Sequence, residues 1–265
     1  MRLAGKSGVV TGTSRGLGRE VLLLATAEGA RVVALARSAE AGQRAVDESR
    51  SAGGEAVFVQ GDVRREEDVV AAIERCRAEY GALDFVVNNA GILGEGRLHE
   101  TSNELWHDLV ATHLTGTFWG CKHAVAAMRE TGRGGSIVNI GSILSFTGDG
   151  YLAAYTAMKS GVLGLTKAVA IDYALDGIRC NCVCPEIPGF YSLLSCYEGA
   201  GMARICEICQ GEGRLAARPG PRPPRPSRGP PGRAPHGDRS PSARPRHASA
   251  PHRARPSRSG ARTRA

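Results

Sequence analysis

Tyr155 and Lys159 stand four residues apart, a spacing that puts both on one face of a helix. A phenol ordinarily has a pKa of about 10, too high for a base at neutral pH, and a cation close by favours its ionised form. The pair is therefore a candidate proton donor or acceptor. Ser142, thirteen residues before Tyr155, is a candidate hydrogen-bond donor to a developing oxyanion. Taken alone, Tyr-x-x-x-Lys reads as readily as a solvated tyrosine and a surface lysine. A second cluster is Thr11-Gly12-Thr13-Ser14-Arg15-Gly16-Leu17-Gly18. Gly12 permits a tight turn, Gly16 lets backbone approach a phosphate, and Gly18 lets a helix pack closely on a strand. A helix opening there turns its N–H groups and positive dipole end towards a diphosphate.

Apolar, β-branched runs at 8–11, 31–35, 56–60, 85–88, 136–140 and 178–184 predict strands. They are nearly continuous in apolar content, as parallel strands covered on both faces should be. Helical patterns at 19–27, 39–52, 66–80, 103–129 and 153–175 separate them. This alternation predicts right-handed crossovers and an α/β fold with a doubly wound, Rossmann-like parallel sheet. The glycine cluster then falls between the first strand and first helix, and Tyr155 and Lys159 on the last helix.

With the elements placed, residues 4–185 resemble the short-chain dehydrogenases/reductases. The resemblance rests on the TGxxxGxG loop, Asp62-Val63 after the third strand, Asn88-Asn89-Ala90-Gly91 after the fourth, and Ser142 in register with Tyr155 and Lys159. It implies an oxidoreductase that interconverts an alcohol and a carbonyl by hydride transfer with a nicotinamide dinucleotide. Tyr155 would act as acid/base, Ser142 would orient the substrate oxygen, and Lys159 would tune the phenol and hold the nicotinamide ribose. Gly12, Ser14, Arg15, Gly16, Leu17 and Gly18 would hold the phosphates. Asp62 would accept from the adenine amino group with the Val63 backbone beside it. Asn89, Ala90 and Gly91 would line the adenine-ribose side and brace the sheet. The resemblance also implies a small carbonyl or alcohol as substrate and a homo-oligomer.

NAD-preferring members carry an acidic residue at the end of the second strand. Here that position is Ala36, followed by Arg37, with Arg15 inside the glycine loop. Two guanidinium groups suit a ribose 2′-phosphate, so NADP(H) is expected over NAD(H).

Three departures stand out. His113 replaces the asparagine that the family places before its LTGTF-like segment, here Leu114-Thr115-Gly116-Thr117-Phe118. Imidazole both donates and accepts, so His113 reads as a relay residue or as an ordinary packing histidine. After strand six, Glu186-Ile187-Pro188-Gly189 replaces the family's Pro-Gly and threonine turn. Neither a substrate-covering loop nor a final edge strand is legible beyond it, so the sheet is expected to end at the sixth strand. Such a switch fits a gene read out of frame, an isoform or a fusion.

The chain divides accordingly into a catalytic domain over 1–185, an irregular segment over 186–210 and a tail over 211–265. The tail holds fourteen Arg, twelve Pro, one Glu, one Asp and no aromatic residue, and so carries +12 of the overall +8. It cannot bury enough apolar surface to order and is expected to be disordered. Its charge admits association with nucleic acid, without base stacking or specificity. A nucleotide-binding remnant or interaction protein without turnover is the other alternative.

No apolar run reaches the ~20 residues of a membrane span, and the N-terminus lacks a signal-peptide pattern. Cytoplasmic location and cysteines as thiols are expected. Cys206-Glu207-Ile208-Cys209 has metal-ligand spacing. Cys180, Cys182 and Cys184 alternate on a strand whose successive side chains face opposite ways and are expected to supply no second pair, so no metal is assigned.

Overall fold

The computed structural model describes residues 1–185. The expectations for 186–210, for the tail at 211–265, for the turn at Glu186–Gly189 and for Cys206 and Cys209 lie outside the described residues. Strands β1 (Ser7–Thr11), β2 (Arg31–Ala36), β3 (Glu55–Gln60), β4 (Phe85–Asn88), β5 (Gly135–Ile140) and β6 (Ile178–Val183) form one parallel sheet in the order β3-β2-β1-β4-β5-β6. This is the α/β, Rossmann-like, doubly wound sheet expected. Among the described residues β3 and β6 are its edges.

Both faces of the sheet are covered. Along β1 and β2, Val9, Val33 and Leu35 enter one core with Val69, Ile73, Met128 and Val169, while Val10, Val32 and Ala34 enter another with Leu22, Ala45 and Val46. Successive side chains on a strand face opposite ways, so a strand buried on both sides must be apolar at every position. The first core lies under helices α3 (Glu66–Tyr80), α5 (Gly116–Thr131) and α6 (Ala153–Asp172). The second lies under α1 (Gly16–Ala27) and α2 (Ala39–Ser51). The strand order reverses between β1 and β4, the place where open α/β sheets bind ligands beyond their carboxyl ends.

The boundaries shift in instructive places. Helix α1 begins at Gly16 rather than 19, because glycines carry no apolar periodicity to mark its first turn. The long fourth helix is interrupted: α4 (Asn103–Leu109) runs into a π-turn at Val110–Thr115 before α5. An inserted π-turn keeps the helix direction while rotating one turn of side chains, and His113 lies on that turn. Helix α6 stops at Asp172 and a short 3-10 turn, Ala174–Asp176, closes on left-handed Gly177 (φ 72°) before β6. Strand β6 ends at Val183, one residue early, ahead of Pro185, which has no N–H to continue the ladder.

Candidate active site

The glycine loop is built around close backbone approach. Gly12 has φ +73°, and a Cβ on it would lie 2.9 Å from the Ala90 Cα; a Cβ on Gly18 would lie 2.3 Å from the Gly12 carbonyl oxygen. Larger residues there would push the loop away from β4. Asn89 Nδ2 donates to the Thr11 carbonyl at 2.8 Å, and the Asn89 and Ala90 N–H groups both donate to Thr11 Oγ1 at 3.0 Å. Asn89 and Ala90 thus fasten the β4 turn to the β1 turn, the bracing expected of them. Thr11 was missed as a partner, although it opens the motif.

The N-terminus of α1 points an unsatisfied dipole out of this loop. The Arg15 side chain makes no capping hydrogen bond, and no acidic residue stands in the first turn. Helix α2, in contrast, is capped by Ser38 and has Glu40 in its first turn. Thr13 Oγ1 is buried in the loop with no hydrogen-bond partner among the described residues. A helix start without a side-chain cap, its positive dipole end and the orphaned Thr13 hydroxyl fit a dinucleotide diphosphate beside Ser14, Gly16 and Leu17.

A cleft of about 390 Å³ lies past the ends of β2 and β3, lined by Arg37, Gln60, Gly61, Asp62, Arg65 and Asp68. Its carboxylates are committed. Asp62 accepts from the Arg64 backbone at 3.0 Å and from Arg64 Nε at 2.9 Å, and Asp68 accepts from the Asp62 N–H at 2.8 Å. Burial alone would raise the Asp62 pKa, but these Arg64 bonds outweigh it and hold the carboxyl below its usual range. Arg64 was not foreseen, because the motif does not show that a side chain two residues on folds back onto Asp62. Val63 is buried, its carbonyl packed against Gly116 of α5. Arg15 and Arg37 are exposed and have no ion-pair partner within 4.0 Å among the described residues.

Ser142, Tyr155 and Lys159 meet at the carboxyl end of β5. Lys159 is buried, and its Nζ donates to the Ile140 carbonyl at 2.7 Å, tying α6 to the last residue of β5. Ser145, which the motifs do not include, completes the frame: its Oγ donates to the Lys159 carbonyl at 2.8 Å and accepts from the Ser142 N–H at 3.2 Å. Ser142 Oγ in turn accepts from the Leu144 N–H at 3.2 Å. Burial pushes the Tyr155 phenol up to about 12, against the hydrogen bond from Ser142. Burial also lowers Lys159 to about 8, opposed by Cys182 and Cys184. The Lys159 Nζ lies 5.6 Å from the Tyr155 ring centroid.

His113 is buried beside this group. The Ile92 carbonyl lies 2.7 Å from His113 Nε2; a carbonyl can only accept, so Nε2 carries the ring proton. The Ile92 N–H also lies 3.2 Å from Nε2, but one nitrogen cannot serve both, and the shorter contact decides. Burial, then the Lys159 ammonium, lower the His113 pKa to about 3 despite the Ile92 bond. The ring of Gly91's neighbour is close: a Cβ on Gly91 would lie 2.7 Å from His113 Cε1.

The cysteine expectation needs correction. Residues two apart on a strand share a face, and Cys182 Sγ lies 3.6 Å from Cys184 Sγ. Cys180 lies on the same face one step back and deeper in the core, where Asn139 Nδ2 donates to its sulfur at 3.5 Å. Among the described residues no group of three or more His, Cys, Asp or Glu is arranged to hold a metal, and no helix is long and apolar enough to cross a membrane.

These features agree with comparisons to known proteins. The short chain dehydrogenase family model matches residues 6–188. The chain is similar to a 3beta-hydroxysteroid dehydrogenase of Mediterraneibacter gnavus, at 41% identity over 67% of this chain and 64% of that protein. It is similar to a cyclohexanol dehydrogenase of an Acinetobacter species, at 37% identity over 77% of this chain and 80% of that one. Among solved structures, carveol dehydrogenase from Mycobacterium avium in complex with NAD aligns with a TM-score of 0.67 and 30% identity, covering 69% of this chain and 71% of the other. The chain thus spans 64% of the length of the hydroxysteroid dehydrogenase. It belongs to the short-chain dehydrogenase family.

Proposed function

We propose that the chain is an NADP(H)-dependent oxidoreductase that interconverts an alcohol and a carbonyl, with Tyr155 as acid/base. The observation that carries this reading is the half-buried Tyr155 phenol, hydrogen-bonded to Ser142 and sharing a helix face with the anchored Lys159. When bound, the nicotinamide supplies or accepts the hydride.

A phenol held up to about 12 is neutral at neutral pH, which is the form that donates a proton. As hydride reaches a carbonyl carbon, charge gathers on its oxygen. Tyr155 Oη protonates that oxygen, and Ser142 Oγ donates a hydrogen bond to it. Lys159 would hold the nicotinamide ribose hydroxyls, and its Nζ stands 5.6 Å from the Tyr155 ring centroid; the expected tuning of the phenol is not seen, since burial and Ser142 account for its shift. The reductive direction is therefore favoured at neutral pH; the reverse needs phenolate and speeds up as pH rises. His113, with its Nε2–H committed to the Ile92 carbonyl and its pKa lowered to about 3, stays neutral and has no proton to pass on, so it acts as a positioning residue for Tyr155 rather than as a relay.

The preference for NADP(H) rests on Ala36 at the end of β2 and on the exposed Arg37 and Arg15, which have no ion-pair partner within 4.0 Å among the described residues. Asp62 and Asp68 share the cleft with Arg37 but are already occupied by Arg64 and backbone, so they oppose a 2′-phosphate less than their charge suggests. Asp62 keeps lone pairs for the adenine amino group. Cyclohexanone and a 3-oxosteroid are the substrates to try first, given the named relatives. With NADPH deuterated on nicotinamide C4, the label should appear on the carbinol carbon of the product. Reduction without label transfer would reject hydride chemistry at this site.

A further inference from the structure

The end of β6 and the residue after it carry a feature the proposed reaction does not use. Cys182 and Cys184 place their sulfurs 3.6 Å apart, and both wall the backbone just before Ser142: a Cβ on Gly141 would lie 2.7 Å from one and 2.8 Å from the other. Gly141 also donates its N–H to the carbonyl of Val183, the residue between them, at 2.8 Å. Cys182 is half-buried, whereas Cys184 is buried. We infer that Cys182 and Cys184 form a reversible, peroxide-oxidisable dithiol beneath the Ser142 loop.

Residues two apart on a strand have Cα atoms about 6.7 Å apart at a rise of ~3.3 Å per residue. That is near the upper end of the roughly 4.4–6.8 Å that a disulfide spans, so the sulfurs can join with a local adjustment of the strand end. A bridge at that limit is strained and readily reduced, which suits a reversible modification better than a structural link. Both sulfurs also act electrostatically on the Lys159 ammonium, which places a cation near the pair. The Cys182 sulfur and burial push the Cys184 thiol up, so Cys184 is the resolving and not the attacking sulfur. No third ligand group stands with the pair among the described residues, which sets metal binding aside.

Cys182, the more accessible sulfur, reacts first. Its thiolate attacks one oxygen of hydrogen peroxide and breaks the O–O bond, giving a sulfenic acid and hydroxide, which leaves as water after taking up a proton. The Cys184 sulfur then displaces the sulfenic oxygen as a second water, loses its own proton, and the S–S bond forms. Two sulfurs lose one electron each, and one peroxide is reduced to two waters. Closure draws Cys182 and Cys184 together against Gly141 and so disturbs the backbone that sets Ser142.

The test is peptide mass spectrometry of the full chain after peroxide treatment and thiol alkylation. The expected result is a loss of two hydrogens shared by Cys182 and Cys184, with Cys180 alkylated, and full recovery of both thiols on treatment with dithiothreitol. In Cys184→Ser, with Cys184→Ala as a second variant should the first misfold, dimedone should trap Cys182 as its sulfenic acid. Dimedone-reactive Cys182 accumulating in the native chain would overturn the inference, because Cys184 would then not resolve it. So would a bridge from Cys182 to Cys180 or Cys196, or both thiols remaining reduced while methionines oxidise.

Discussion

The imidazole of His113 stands edge-on to the ring of Tyr155, with centroids 5.3 Å apart and planes at 89°. This T-shaped contact fixes the plane of the phenol, while the Ile92 carbonyl fixes the imidazole. The π-turn at Val110–Thr115 is what carries the ring to that position. His113→Ala should therefore let Tyr155 shift and lower kcat by up to about 100-fold, the cost of a ~1 Å misplacement. With its pKa lowered to about 3, His113 stays neutral across the working range. The wild-type pH–rate profile should show no histidine inflection near pH 6–7; finding one that His113→Ala removes would contradict this account.

Lys159 gives a pH dependence of stability with a definite sign. Burial lowers its pKa from 10.5 to about 8 in the folded chain. Between those values the unfolded chain binds the extra proton, so stability rises with pH across roughly pH 8 to 10.5; below pH 8 the full cost of the buried charge is present. Lys159→Met cannot titrate. Urea denaturation across that range should show the wild type gaining on Lys159→Met by up to roughly 3 kcal/mol, on the basis of ~1.4 kcal/mol per pKa unit. A difference that stays flat with pH would place Lys159 in a wetter site than the structure shows.

Arg37 is the most direct test of cofactor choice. It lines the cleft at the ends of β2 and β3 and has no ion-pair partner among the described residues. Arg37→Ala should weaken NADPH binding by roughly 1–3 kcal/mol, the range for a charge-assisted contact, and leave NADH almost unchanged. Equal losses for both dinucleotides in a fluorescence titration would remove the basis for NADP(H) preference.

What the sequence makes legible is whatever the backbone or a helical period imposes. Gly12 and Gly18 are readable because a Cβ at either position collides with backbone. Tyr155 and Lys159 are readable because four residues is one helical turn. The apolar strands are readable because both sheet faces are covered. Side-chain partners distant in sequence are not readable. His113 finds Ile92 across twenty-one positions, and Ser145 reaches the Lys159 carbonyl across fourteen. Asp62 is met by Arg64, a loop residue with no periodic signal. The π-turn leaves no mark either, since one extra residue in a turn barely changes an apolar pattern. The thiol pair was open to reading, because the period of a strand is two; Cys182 and Cys184 share a face for that reason.

The central claim is that Tyr155 delivers the proton in a nicotinamide-dependent carbonyl reduction, and the rate of NADPH consumption with cyclohexanone or a 3-oxosteroid tests it. The full chain and Tyr155→Phe should be compared at neutral pH and saturating cofactor. The account predicts measurable turnover by the full chain and a loss of about 100- to 10,000-fold in Tyr155→Phe, the usual worth of a positioned acid, with NADPH affinity little changed. Turnover undiminished in Tyr155→Phe, or a full chain that binds NADPH and reduces neither carbonyl, would contradict it.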